Sequence, residues 1–343
     1  MGFRGILSFL LLFSYVANAE LFVPLPAKPP VPKDNPMTAA KIELGKKLFF
    51  DSRLSLDGTV SCNSCHNVMS SGTDNRKFSA GVGGKNGDRN SPTVWNSAFL
   101  TVQFWDGREP SLEAQSKGPL TNSVEMAMKD HDMAVSRIRM IPGYVEEFKK
   151  NFPGQKEPVV IDNVAKAIAS YERTLLTPDA PYDQFLKGKK NAINAAAKRG
   201  GEKVVAIGCA TCHNGPNYAG PQLPEGTGFY QRFPTFADND YVKKYDFSAD
   251  PGRMKATSKP EDRGMWRVPT WRNVAITAPY FHNGSVATLD EAVLVMAKTQ
   301  LNIDLNKEDV SDIVAFLNSL TGKMPKQQMP ELPQTPGSTV LLQ

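Results

Sequence analysis

Two short strings, CNSCH at 62–66 and CATCH at 209–213, take up all four cysteines of the chain and two of its four histidines. Cys-x-x-Cys-His is the spacing of a c-type haem attachment site. Its two thiols add to the porphyrin vinyl groups, and the adjacent imidazole is held where its nitrogen meets the iron. The same residue types also serve thioredoxin-like redox pairs and zinc sites. A zinc ribbon sets its cysteine pairs about 15–20 residues apart, whereas 143 residues lie between Cys65 and Cys209. The strings therefore read as two covalent haems. Cys62 and Cys65 attach the first, with His66 axial; Cys209 and Cys212 attach the second, with His213 axial.

The elements that must position these strings come in two copies. The strings lie 147 residues apart (209 minus 62). Pro92-Thr93-x-x-Asn96-x-Ala98 recurs as Pro269-Thr270-x-x-Asn273-x-Ala275, and this register runs through Phe104/Phe281 and Gly107/Gly284 to Leu112/Leu289, at an offset of 177. Ile168, Tyr171, Thr174 and Leu175 recur as Ile313, Phe316, Ser319 and Leu320, at an offset of 145. Haem string, middle loop and closing helix with an aromatic residue is the order of parts in a class I cytochrome c domain. The expected fold is all-α: two such domains, each with one haem. The boundary falls near 178–190, giving a first domain over 20–180, a second over 181–322 and an extended proline-rich tail over 323–343. The 30 additional residues of the second copy (177 minus 147) fall around Gly220–Asp262, a stretch rich in Gly, Pro, Asp and Lys that reads as an inserted surface loop. Thr38 is expected to cap a helix through Ile42, Leu44 and Leu48, while Ser111 and Thr288 cap matching helices after the middle loops. Gly322 and Pro325 are expected to end the last helix, and 23–36 and 325–336 to run extended.

The chain opens MGFRGILSFLLLFSYVANA. An early arginine, an apolar run from Ile6 to Val16 and a small-x-small ending predict a secretory signal cut after Ala19, and the run is short for a membrane span. A mature chain of 324 residues (343 minus 19) is expected in the periplasm, without stable membrane insertion. Losing Arg4 takes the formal charge from +5 to +4. Basic and acidic residues are interspersed, which argues against nucleic acid and leaves a weak bias toward an acidic protein partner.

An iron held by one histidine needs a sixth ligand or an open position, and that choice separates electron carriers from catalysts. Met296 lies 27 residues after Pro269; the same count from Pro92 reaches Pro119, which has no donor atom. A methionine can equally fill a core, but its place in the repeat favours ligation. The second haem is thus expected to be His213/Met296 ligated, and the first to have lost its second ligand.

The stretches CNSCHN, RNSPTVWNSAF, QFWDGR, EAQSKGP, SVEM, RNVAITAPYFHNG and EAVLVM closely resemble the bacterial dihaem cytochrome c peroxidases over essentially the whole mature length. The resemblance implies reduction of hydrogen peroxide at a low-potential first haem, a high-potential second haem, and electrons from a small c-type cytochrome or a copper protein. It implies a homodimer. It makes Trp105 the residue between the haems, Gln115 and Glu125 the distal pair, and Asn90, Thr277 and Pro279 the holders of a calcium ion. On residues alone, Trp105 could equally be a core filler, Glu125 a solvated helix glutamate, and Gln115 says nothing. A carboxyl beside an open iron can, however, move the proton that peroxide cleavage requires.

One departure stands out. Most members of the family carry a histidine in the loop after the first string that closes the oxidised first iron; here Val82 takes its place, and no histidine occurs between His66 and His131. The first iron is therefore expected to be open, or to carry only water, without prior reduction. Met69, Lys77 and Lys85 are the candidates for a substitute ligand. His131 is expected to be exposed; His282 could bond a propionate or compete with Met296. Two other readings stand beside the peroxidase: a plain dihaem electron carrier, against which an open iron argues, and an enzyme that oxidises tryptophan on a partner, which would carry tyrosine in place of Met296.

Overall fold

The computed structural model describes residues 21–336, so the expected cleavage after Ala19 lies outside the described residues. The chain order is α1 (Ala39–Phe50), α2 (Cys62–Cys65), α3 (Leu112–Gln115), α4 (Gly118–Thr121), α5 (His131–Arg139), α6 (Pro142–Asn151), α7 (Ile161–Glu172), α8 (Pro181–Leu186), α9 (Ala195–Ala206), β1 (Tyr230–Arg232), α10 (Asp240–Tyr245), α11 (Met254–Thr257), β2 (Met265–Arg267), α12 (Leu289–Leu301) and α13 (Lys307–Ser319). Among the described residues no helix is long and apolar enough to cross a membrane.

Each half rests on a pair of helices that meet at a glycine. In the first half α1 packs on α7, and a Cβ at Gly45 would lie 1.8 Å from the Ala167 carbonyl oxygen. In the second, α9 packs on α13, and a Cβ at Gly200 would lie 1.9 Å from the Asp312 carbonyl oxygen. No other residue fits either contact. Tyr171 and Phe316 are buried beside these crossings. The expected caps are present: the hydroxyls of Thr38, Ser111 and Thr288 accept from the amides of Lys41, Ala114 and Glu291. The last helix stops earlier than expected, at Ser319, with Leu320 as its C-cap.

The middle loops superpose in backbone as well as in sequence. Asn96 and Asn273 have φ of 63° and 61°, Phe104 and Phe281 67° and 69°, and Gly107 and Gly284 61° and 56°. Antiparallel bridges Gln103–Glu109 and Tyr280–Val286 also match at the offset of 177. The left-handed conformation costs a non-glycine residue about 1–2 kcal/mol, so its recurrence at paired asparagines and phenylalanines marks geometry that both copies retain.

One buried hydroxyl ties the two middle loops together. Asn96 Nδ2 donates to Thr177 Oγ1 at 2.8 Å, and its counterpart Asn273 Nδ2 donates to the same oxygen at 3.0 Å. Each asparagine then accepts a main-chain amide in its own half, from Thr177 at 2.8 Å and from Gly322 at 3.0 Å. Gly322 thus serves the seam rather than the helix end. A second tie is the amino-terminal strap: Phe22 is buried against Tyr182, Tyr218 and Phe316 of the second half, and Leu25 N donates to Asp183.

The insertion is more than a surface loop. Strands β1 and β2 pair antiparallel, and Val242 and Phe247 are buried with Tyr280, Val286 and Val295. It reaches back to the first half through Arg89, which grips Asp250 at 2.7 and 2.9 Å, and through Arg253, which donates to the carbonyls of Asp106 and Gly107. Its apolar residues are too widely spaced among Gly, Pro and Asp to show a period, and they gain one only against the second copy's middle loop.

Replacing Thr177 with valine removes the shared acceptor and leaves buried amide hydrogens unpaired. The expected loss is about 1–3 kcal/mol, read as a lower urea midpoint, with Thr177→Ser close to the parent; equal midpoints for the valine and serine variants would contradict the assignment.

Candidate active site

Residues from all parts of the first repeat converge on a cavity of about 400 Å³, within the range of small-molecule sites. Cys62, Cys65 and His66 line it, as do Trp105, Gln115, Glu125 and Asn90. At the start of the short helix α2 the Ser61 amide donates to Ser64 Oγ at 3.0 Å. His66 Nδ1 lies 3.0 Å from the Pro92 carbonyl oxygen, which holds the ring and leaves Nε2 for a metal. In the second half His213 Nδ1 lies 3.1 Å from the Tyr218 carbonyl oxygen, and its ring stacks on Trp271 at 4.2 Å. A main-chain carbonyl on the far nitrogen is the usual support of a metal-bound histidine. Burial holds both imidazoles toward the neutral, ligating form, pushing His213 down to about 4.

The thiols behave unlike redox or zinc cysteines. Burial pushes Cys65 and Cys209 up to about 11 and raises Cys62 and Cys212 as well, whereas reactive thiols are held low. Among the described residues no group of three or more His, Cys, Asp or Glu is placed to hold a metal ion. The residues fit covalently attached haem: paired neutral thiols, an oriented imidazole and, in the first half, a cavity between them.

Glu125 is not on a helix. It sits in the turn after α4, where its amide donates to the Asn122 carbonyl and Asn122 Nδ2 donates to its Oε1 at 2.8 Å. Burial raises its pKa, opposed by Arg108 and by the Asn122 bond. Gln115 ends α3, set by the Ser111 cap. Trp105 stands at the seam: its indole donates to the Asn90 carbonyl at 2.7 Å, and its own carbonyl accepts from Arg267 of the second half at 3.0 Å.

Val82 does not line the cavity. It is buried in the first-half core with Met126 and Met128, and its amide donates to the Glu125 carbonyl at 2.8 Å. A Cβ at neighbouring Gly81 would meet the Val124 carbonyl at 2.2 Å, so the loop lies flat on the Glu125 turn. Met69, Lys77 and Lys85 are exposed and outside the cavity lining. His131 differs from expectation: it is half-buried, with Nε2 3.0 Å from the Lys117 carbonyl, because it opens α5 against α4. His282 is buried on Trp266 at 4.2 Å, its Nε2 unpartnered.

The position that matches Met296, Pro119, lines the first cavity. Met296 itself is half-buried on α12 between buried Val295 and Ala297. Asn90 Nδ2 donates to the Arg76 carbonyl, and next to it Asn75 Nδ2 donates to the carbonyls of Ile276 and Ala278. Asn90, Thr277 and Pro279 therefore belong to one stretch of the seam. Sequence reasoning missed Glu172, a buried carboxyl lining the first cavity from α7. The repeat carried the signal, since its counterpart is Leu317 (172 plus 145).

Comparison with known proteins identifies the family. The model of the di-haem cytochrome c peroxidase family matches residues 39–191. The chain is 44% identical over 326 residues to the cytochrome c551 peroxidase of Pseudomonas aeruginosa, covering 94% of this chain and 90% of that protein. It is 44% identical over 312 residues to the cytochrome c551 peroxidase of Nitrosomonas europaea, covering 90% and 88%. A solved MauG-like protein associated with microbial copper homeostasis superposes with a TM-score of 0.76 at 30% identity, over 87% of this chain and 95% of that one.

Methionine ligation at the second iron predicts a sulfur-to-iron charge-transfer band in the oxidised spectrum. Met296→Ala should abolish that band while leaving two haems attached; a band that survives the substitution would assign the ligand elsewhere.

Proposed function

This chain belongs to the di-haem cytochrome c peroxidase family, and we propose that it works in the periplasm, as a homodimer, with a first haem that is open to peroxide in the fully oxidised protein. It is a cytochrome c peroxidase. When bound, the haems supply an iron at which hydrogen peroxide is reduced to two waters and a second iron that passes on electrons from a small c-type cytochrome or a copper protein. His66 would hold the first and His213 with Met296 the second.

The protein's own groups divide the remaining work. Glu125 takes the proton from the near peroxide oxygen and returns it to the leaving one. A carboxyl can do both when its pKa approaches the working pH, and burial moves Glu125 in that direction. Asn122 limits the shift by bonding Oε1, and so keeps the ionised form accessible. Gln115, on the same cavity wall, orients peroxide through its amide. Trp105, bonded to both halves at the seam, serves the passage of electrons between them. A calcium ion at this seam would take hard oxygen ligands from Asn90 and from the carbonyls of Thr277 and Pro279.

The observation that carries the open-site reading is the placement of Val82. Its side chain has no donor, it is spent in the core, and its amide ties the loop to the very turn that presents Glu125. The periplasmic reading rests on the leader-like first 19 residues, and the dimer on the family resemblance.

Mixing the fully ferric protein with peroxide in a stopped-flow instrument should give a fast spectral change before any reductant is added, and silence until half-reduction would refute an open resting site. Glu125→Gln should slow that change by roughly 10²–10⁴-fold, and Gln115→Ala by less, with haem content unchanged in both.

A further inference from the structure

The first cavity holds a second carboxyl that the peroxide chemistry leaves unused. Glu172, the last residue of α7, is 6% exposed, lines the cavity with Cys62 and Cys65, and its Oε2 is buried without a hydrogen-bond partner. On top of burial, its charge raises the Cys62 thiol, which lines the same cavity. In the second copy this position is Leu317, buried in an apolar core. The neighbouring cation offsets burial only in part: Arg173 lowers the Glu172 pKa by its charge but makes its hydrogen bonds to Glu113, at 2.6 and 3.0 Å.

The geometry points to Glu172 as the proton-exchanging group of the first haem, protonated when that iron is ferrous and ionised when it is ferric. This rests on the first cavity holding a haem. The step balances: reduction takes one electron from the donor protein and one proton from solvent, the proton forming the O–H bond of Glu172; oxidation releases both. Removing a positive charge from beside a carboxyl makes it hold its proton more tightly, and restoring that charge loosens it. Burial has already pushed Glu172 up to about 8, the same direction in which removing a positive charge at the iron would move it. The charged groups that act on it are Arg173 on its own helix and Glu113 on α3; the same cavity is lined by Glu125, Arg108, His66, Asp88, Arg89, Asp106, Lys255 and Arg267, and on α2 Cys62 and Cys65 become uncharged thioethers. Glu172 acts on the iron by its charge and touches no reacting atom, so it is a positioning residue for the electron transfer. The second haem, with Leu317 in its place, lacks this group.

The test is spectroelectrochemical titration of both haems in the full-length holoprotein between pH 5 and 9, for the parent, Glu172→Gln, Glu172→Leu and Glu125→Gln. In the parent the first-haem potential should fall as pH rises, approaching a tenfold change in the reduction equilibrium, or 59 mV, per pH unit. That slope should vanish in both Glu172 variants and persist in Glu125→Gln. A flat parent profile, or a slope kept without Glu172, overturns the proposal, as does a slope lost only with Glu125. Mass spectrometry separates this failure from failure of the underlying reading: fewer than two haems per chain would mean that the first cavity is not a haem site. Should both Glu172 variants lose the first haem, the parent's reduced-minus-oxidised infrared spectrum decides, and it must show one carboxyl gaining a proton on reduction.

Discussion

A single threonine hydroxyl, shared by two asparagine side chains, is the point about which this molecule is organised. Asn96 and Asn273 are the same residue of a duplicated loop, and both are fully buried. A buried amide left unpaired costs about 1–3 kcal/mol, so neither half can withdraw from Thr177 cheaply. The oxygen of each amide accepts from the chain just beyond its own closing helix. Through this one cluster the middle loops, the closing helices and the relation between the halves are fixed together. Trp105 and Asn90 sit on the same seam, bonded to each other and to Arg267 and His282 of the second half.

Where the two copies agree, they build haem sites; where they differ, they divide the labour. The glycine crossings, the carbonyl-supported histidines and the left-handed middle-loop residues are common to both. The differences cluster around the irons. Pro119 stands where the second copy has Met296, Trp105 where it has His282, and Glu172 where it has Leu317. Each exchange in the first copy removes a sulfur donor or puts an indole or a carboxyl in place of the second copy's side chain.

Much of this was legible in the sequence because the repeat gave every candidate residue an internal control. The haem strings, the three caps and the equivalence of Met296 with Pro119 follow from counting. The gathering of Gln115, Glu125 and Trp105 in one cavity followed from family resemblance; their local sequence would not have supplied it, since Glu125 lies in a turn that has no helical or strand period. The insertion was misjudged because Val242 and Phe247 acquire a buried face only in contact with residues 280–295. His131 was misjudged because charged sequence neighbours conceal a carbonyl partner at Lys117. Glu172 escaped notice for a different reason. It lies beside Ile168, Tyr171, Thr174 and Leu175, the positions that match across the repeat, and the exchange of a carboxyl for Leu317 among them carried the information.

The amino-terminal strap bears on the order of events during synthesis. Phe22 stacks on Phe316, 294 positions later (316 minus 22), and Leu21 accepts from Gly215. A chain made from its amino terminus must therefore wait for its last helix before its first segment can dock. Contacts so distant in sequence form late, because the loop between them must close first. Until then the strap cannot pack against the segment that carries the second Cys-x-x-Cys-His string. Docking of the strap is in this sense the closing stitch of maturation.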